Sequence, residues 1–155
     1  MVTTDQSFQI NLFYSDKPTD SKGFRDLIMS HPDEHVGYKC EKCKNVIEKG
    51  VRFHTLKMLR EIMVVEFNKY MSKDMRWFPR EMEFPSTSGK PLKYKLVSII
   101  EHSGGLSGGH YWARSYRPTS ATEGKWYKFN DIGVSDADAE PSDASYMMFY
   151  HVVEG

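Results

Sequence analysis

Apolar and polar positions alternate with a period of two in several short stretches of the chain, and only one stretch repeats at helical spacing. In residues 7–14, Phe8, Ile10 and Leu12 project to one side and Gln9 and Asn11 to the other, which predicts a half-buried strand. Residues 16–20, around Pro18, read as a turn. Phe24, Leu27 and Ile28 then recur at helical spacing and predict a short helix over about 20–30. It ends near His31-Pro32, because the residue before a proline is pushed out of the α region. The apolar run Ile62-Met63-Val64-Val65, between Glu61 and Glu66-Phe67, predicts a strand buried on both faces. A short strand lies between Trp77-Phe78-Pro79 and Phe84-Pro85, a loop over 86–91 and a strong strand over 94–100. His102 to Gly109 holds four glycines in eight residues and reads as a loop. Strands follow over 111–116 and 126–129, with a turn over 118–124 between them and Asn130-Asp131 at the close. The acidic stretch 136–143 reads as a solvated loop, and 146–150 as a final apolar strand. No repeat, heptad pattern or long linker interrupts this order. The expected fold is therefore mainly β (α+β), antiparallel, with a single domain over 1–155.

Composition narrows the function classes. A chain of 155 residues, 39% apolar and 14% aromatic, can bury a sizeable core and is not of disordered type. Twenty-one basic and 21 acidic residues give zero formal charge, which speaks against a nucleic-acid or anionic-membrane partner. No apolar run is long enough to span a bilayer, and Met1 to Gln6 lacks the basic start and apolar segment of a secretory signal. The two cysteines, Cys40 and Cys43, cannot build a disulfide framework. Their C-x-x-C spacing suits metal or redox chemistry in a reducing compartment, so the cytoplasm or nucleus is expected.

Three segments carry candidate chemistry. The loop Gly104-Gly105-Leu106-Ser107-Gly108-Gly109 delivers His110 to the start of a strand. It is no phosphate loop, since neither a helix nor Gly-Lys-Ser/Thr follows. His110 reads either as a general base beside glycines that let a ligand approach, or as an exposed histidine on a hairpin. Asn130 and Asp131 lie about 20 residues further on, at the end of the next strand. If the two strands pair, an amide or carboxylate there would fix the tautomer of the imidazole. The alternative is an Asx turn that closes a strand. Cys40 and Cys43 form one knuckle, half of a zinc set, with His35 and His54 flanking it at spacings that match no standard finger. A vestigial thiol pair fits equally.

Taken in order, these pieces resemble a known family. They are Tyr38-Lys39-Cys40-Glu41-Lys42-Cys43, the buried strand, Phe78-Pro79, Tyr94 through Gly104, Gly108-Gly109-His110-Tyr111, Trp126-Tyr127-Lys128-Phe129-Asn130-Asp131 and Ser145-Tyr146-Met147-Met148-Phe149-Tyr150. From about Phe8 to Tyr150 the chain is similar to the C-terminal part of the catalytic domain of ubiquitin-specific proteases, which are cysteine deubiquitinases. The resemblance implies a papain-like peptidase fold without its helical thumb. Residues 7–50 would be a fingers-like strand, short helix and knuckle, and 51–155 a palm-like antiparallel sheet. It implies that His110 is the general base, Asn130 the residue that orients it and Asp131 the polar residue beside that one. His102, Gly108, Gly109 and Tyr111 would lie along the ubiquitin tail. Cys40 and Cys43 would be the second of two zinc knuckles, so zinc is expected only if other ligands complete the site. Catalysis itself requires no cofactor.

The departures matter as much. The Asn-x-Cys box that carries the family's nucleophile has no counterpart. Glu66-Phe67-Asn68-Lys69-Tyr70 stands where Leu-Lys-Arg-Phe is usual, and Lys57 where a Leu-Pro pair is usual. A base without its thiolate leaves only weak residual catalysis, so the chain is expected to be inactive alone. Ubiquitin or a ubiquitin-like protein is the expected partner, with another protein chain over the palm face that the thumb would cover. The alternative is a non-catalytic ubiquitin-binding or structural assembly subunit, with His110 and Asn130 as relics.

Overall fold

In the computed structural model of the chain the described residues are 9–12, 17–68, 75–105 and 107–153. For residues 31–36, 38, 47 and 51–54 the description is of the backbone only. Strand β1 is Ile10–Leu12, helix α1 is Ser21–Met29, and the strands after it are β2 (Ser30–Lys39), β3 (Val46–Thr55), β4 (Ile62–Phe67), β5 (Glu81–Phe84), β6 (Leu92–Gly105), β7 (Gly108–Pro118), β8 (Gly124–Asn130), β9 (Gly133–Asp136) and β10 (Ser145–Val153). Eight strands form one sheet in the order β1-β4-β10-β6-β7-β8-β9, with β5 paired to β6, while β2 and β3 form a separate ribbon. No helix among the described residues is long and apolar enough to cross a membrane.

The helix forms where the spacing predicts it. The Asp20 carboxylate caps its start by accepting the Gly23 N–H at 2.6 Å. Phe24 and Ile28, four residues apart, share the face turned to the sheet and are buried. Phe24 meets Phe67 of β4 edge-on and Tyr150 of β10 at a tilt, at centroid distances of 6.2 and 6.3 Å. The core is this contact extended by Leu12, Val65, Phe84, Tyr94, Ile99 and Met148.

Several expectations are corrected. Of the strand read over 7–14, only Ile10–Leu12 is described as strand; Phe8, Phe13 and Tyr14 lie outside the described residues. β1 runs parallel to β4, which makes the sheet mixed rather than antiparallel throughout. Parallel pairing needs a long crossover, and the chain supplies one through α1 and the β2–β3 ribbon. β4 buries Met63, Val65 and Phe67 but leaves Val64 and Glu66 half-exposed, so one face is packed, not both. After His31-Pro32 the chain forms the antiparallel ribbon β2–β3, for which the sequence pattern offered no strand. Pro32 is tolerated there because each strand of a two-stranded ribbon has an open edge.

The glycine segment is not a loop. β6 runs to Gly105 and β7 starts at Gly108, paired as far as Gly105↔Gly108. The glycines serve close approach. A Cβ on Gly109 would lie 2.5 Å from the Ser103 carbonyl oxygen, and Gly104 holds a φ of +137° with its Cβ site 2.5 Å from the Gly108 oxygen. The acidic stretch after β9 is a loop with its acidic side chains exposed, as read, but it is tethered to the sheet. Ala139 is buried, Asp138 accepts from the buried Arg114 at 3.0 Å, Glu140 pairs with Arg80, and the Ser142 hydroxyl donates to Glu101 at 2.6 Å.

Candidate active site

The β6–β7 hairpin sorts its side chains by parity. Ser103 faces His110 and Glu101 faces Trp112 across the ladder, on one side of the sheet; His102 and Tyr111 face each other on the opposite side. β8 then pairs with β7 through Ala113↔Phe129 and Arg114↔Lys128. Its last residue, Asn130, thereby arrives beside His110, and the imidazole Nε2 and the Asn130 Oδ1 lie 2.5 Å apart. An amide oxygen can only accept, so Nε2 carries the proton and donates it. In the neutral ring Nδ1 then keeps its lone pair, the state a general base needs. His110 is exposed, and its ring stacks on Trp112 at 5.8 Å and 27°.

Asp131 is not part of this contact. It opens the β8–β9 turn with a left-handed φ of 51°, and its exposed side chain makes no hydrogen bond or ion pair among the described residues. Its main-chain conformation folds β9 back and ends β8 at Asn130. The turn also leaves Ile132 fully exposed beside the site.

On the opposite face His102, Tyr111 and Tyr146 cluster, with His102 4.3 Å from Tyr111 and 6.3 Å from Tyr146. The Tyr146 hydroxyl donates to Glu66 at 2.8 Å, and Gln9 donates to the same carboxylate at 2.7 Å. Gly108 and Gly109 lie at the turn end of the hairpin.

Cys40 and Cys43 occupy the β2–β3 connection, in a sheet separate from that of His110. Lys44 takes a left-handed φ of 62° and donates its N–H to the Cys40 carbonyl at 2.8 Å, which folds the knuckle. The N–H groups of Cys43 and Lys42, with the neighbouring thiol, hold the Cys40 thiol below the ordinary cysteine range. A structural zinc takes four donors. The knuckle offers two, and no group of three or more His, Cys, Asp or Glu among the described residues is arranged to hold a metal. The side chains of His35 and His54 lie outside the description. The described residues therefore do not make a zinc site by themselves.

The family model described as Ubiquitin carboxyl-terminal hydrolase matches residues 33–150. The chain belongs to that family. It is 30% identical over 128 residues to ubiquitin carboxyl-terminal hydrolase Usp2 of Drosophila melanogaster, covering 72% of this chain and 13% of that protein. It is 40% identical over 62 residues to ubiquitin carboxyl-terminal hydrolase 15 of Homo sapiens, covering 39% of this chain and 6% of that one. The chain thus spans a small part of the curated relatives it matches. Among solved structures it is similar to the SAGA DUB module of Ubp8, Sgf11, Sus1 and Sgf73 bound to monoubiquitin, with a TM-score of 0.60 and 21% identity over 94% of this chain and 35% of that one. That likeness extends the family assignment to the fold.

Sequence reasoning missed Glu101, Trp112 and Arg114. Glu101 is 4% exposed and Arg114 7%, and they bond at 2.8 Å. The signal was present: once the hairpin tip is set at 106–107, a Glu in an apolar strand falls opposite an indole and two pairs away from an Arg, on the same face.

Proposed function

We propose that this chain supplies the base half of a thiol-dependent ubiquitin hydrolase and takes its nucleophile from another segment. The observation that supports this most directly is the His110–Asn130 contact, which in the neutral imidazole places the proton on Nε2 and turns Nδ1 of an exposed ring into the acceptor. Nδ1 accepts the proton of an incoming thiol, and the thiolate adds to the carbonyl at the ubiquitin C-terminus. The imidazolium then returns the proton to the departing amine, and water releases the acyl group from sulfur by the same exchange. Asn130 keeps the ring in the productive tautomer throughout. Asp131 sets the turn that ends its strand.

Neither cysteine of the chain suits the nucleophile's place. Both sit at the far end of the β2–β3 ribbon, about 30 Å of strand from its root at Ser30 and Thr55. The chain alone is therefore inactive on ubiquitin conjugates. His102 and Tyr111 stack on the side of the hairpin opposite His110, so a ubiquitin tail that meets them passes the hairpin turn, where Gly108 leaves open space, before its end reaches the base. The solved Ubp8 module, bound to monoubiquitin and built with three further subunits, supports ubiquitin and a second protein chain as partners. Ile132, fully exposed beside His110, and Val134, 62% exposed, are apolar surface such a chain would cover. Zinc at Cys40 and Cys43 requires ligands from elsewhere. The cytoplasm or nucleus suits a chain whose acidic thiol must stay reduced.

Two measurements test this. The chain is incubated with ubiquitin carrying a C-terminal fluorogenic amide, and no turnover is expected. A rate that disappears in His110→Ala would show that a nucleophile is already present. The 15N-labelled chain is then titrated with ubiquitin, and amide shifts are expected at His102, Gly108, Gly109 and Tyr111. No shift up to about 1 mM, a range that captures even weak specific contacts, removes ubiquitin as the partner.

A further inference from the structure

An exposed imidazole held by one hydrogen bond is a loose base, because rotation about its side-chain bonds competes with that bond. The face of the sheet that carries His110 holds a second restraint. The Trp112 indole stacks on the ring, and its N–H donates to the Glu101 carboxylate. The other Glu101 oxygen accepts from Arg114 Nη2 at 2.8 Å and from the Ser142 hydroxyl at 2.6 Å. This carboxylate is almost wholly enclosed, with 6% of its side chain exposed, so its partners are fixed by packing. The Lys128 ammonium lies 4.7 Å from the indole centroid and adds a cation–π contact. Arg114 reaches on through Nη1 to the carboxylate and the carbonyl of Asp138, both at 3.0 Å. Residues 137–144 are thus fastened, through Arg114 and Ser142, to the group that pins the indole.

We propose that Trp112, pinned by Glu101, is a positioning residue that holds His110 in its Nε2–H tautomer, and that the 137–144 segment clasps this support. The proposal rests on the reading of His110 as the base. It adds that the base is held on two sides, by Asn130 at Nε2 and by the indole at the ring face. Glu101, Arg114 and Ser142 touch no substrate and act through Trp112.

The test reads the tautomer directly. The intact chain is labelled with 15N at histidine, and the Nε2–H to Nδ1–H ratio of His110 is read from its long-range proton–nitrogen couplings. The same chain unfolded in urea gives the unrestrained ratio. Folded wild type is expected well above that reference. Trp112→Phe keeps a ring at this half-buried position but deletes the N–H to Glu101, so the ring is no longer pinned, and it is expected to lower the ratio at least about threefold, the order of one weakened aromatic contact. Trp112→Leu is expected to lower it further, and Asn130→Ala to return it to the unfolded value. Urea midpoints are recorded for each, since a merely structural tryptophan would move the midpoint and leave the ratio alone. A wild-type ratio in Trp112→Phe overturns the proposal, whether or not Trp112→Leu folds. If Asn130→Ala moves the ratio and Trp112→Phe does not, positioning by the indole fails and the base reading stands. If folded wild type matches the unfolded chain, the base reading itself fails.

Discussion

Replacing Arg114 by methionine separates the two arms of its guanidinium. One arm meets Glu101 at 2.8 Å with both side chains under a tenth exposed; the other meets Asp138, whose side chain is 68% exposed. Methionine has a similar volume, so the perturbation is electrostatic rather than a cavity. Glu101 would keep the Trp112 N–H and the Ser142 hydroxyl but lose its cation. Removing one partner of a buried pair costs about 3–5 kcal/mol, because a desolvated charge is left uncompensated. The exposed arm contributes about 1 kcal/mol or less. Arg114 Nε is buried without a hydrogen-bond partner, so deleting it returns about 1 kcal/mol. The expected net loss is about 2–4 kcal/mol. For a chain of this length that lowers Tm by about 5–15 °C. Urea unfolding followed by tryptophan fluorescence measures it, with Asp138→Asn as the control that removes only the exposed arm. A loss below about 1 kcal/mol in Arg114→Met, or an equal loss in Asp138→Asn, would refute the assignment of the energy to the buried arm.

Three further outcomes follow from particular contacts. Gly109→Ala places a Cβ 2.2 Å from His102 Nε2 and 2.5 Å from the Ser103 oxygen; the ring can swing aside but the backbone cannot. The hairpin end must open at about 1–3 kcal/mol, and wild-type urea stability with unshifted His102 and Tyr111 signals would contradict this. Burial drives the Tyr150 phenol well above its ordinary range, and the hydroxyl donates to the Pro79 carbonyl at 2.8 Å. The folded chain keeps this proton after the unfolded one releases it, so stability is full below about pH 10 and falls as pH rises beyond. Tyr150→Phe should cost about 1–2 kcal/mol at neutral pH and flatten the alkaline fall, with a residue left from Tyr94, whose phenol is also raised by burial; an unchanged alkaline slope in thermal melts counts against it. Cys40 should be alkylated by iodoacetamide before Cys43 at neutral pH, although Cys43 is the more exposed, because the N–H groups of Cys43 and Lys42 hold the Cys40 thiol below the ordinary cysteine range; peptide mass spectra showing Cys43 modified first would count against this.

Where side chains alternate toward a packed layer, the fold was legible. Met63, Val65 and Phe67 marked β4, and Phe24 and Ile28 marked the helix face. The same logic passed over β2 and β3, because β2 is dominated by polar residues with Pro32 and Gly37 and offers no sustained apolar alternation. The glycines misled for a related reason. Glycine frequency signals loops, yet at Gly104 and Gly109 the missing Cβ is what allows two strands to close. Asp138, Glu140 and Asp143 read as solvated and are exposed, but net charge says nothing of the arginines at 80 and 114 that two of them meet. His110 and Asn130 were legible as a pair, since hairpin register alone brings them together. Asp131 was legible only as a neighbour in sequence; its left-handed backbone turns the side chain's position over to the bend.

Strand order also has a bearing on biosynthesis. β10, the last strand in sequence, lies between β4 and β6 and hydrogen-bonds to both. A nascent polypeptide emerging from the ribosome can close the β6–β7–β8–β9 meander early, because those pairings are local. It cannot join that meander to β4, or bury Phe24 against Tyr150, until the segment through Val153 has cleared the exit tunnel. Until then two half-sheets present unpaired edges, and that interval is the one most exposed to chaperone capture and mispairing.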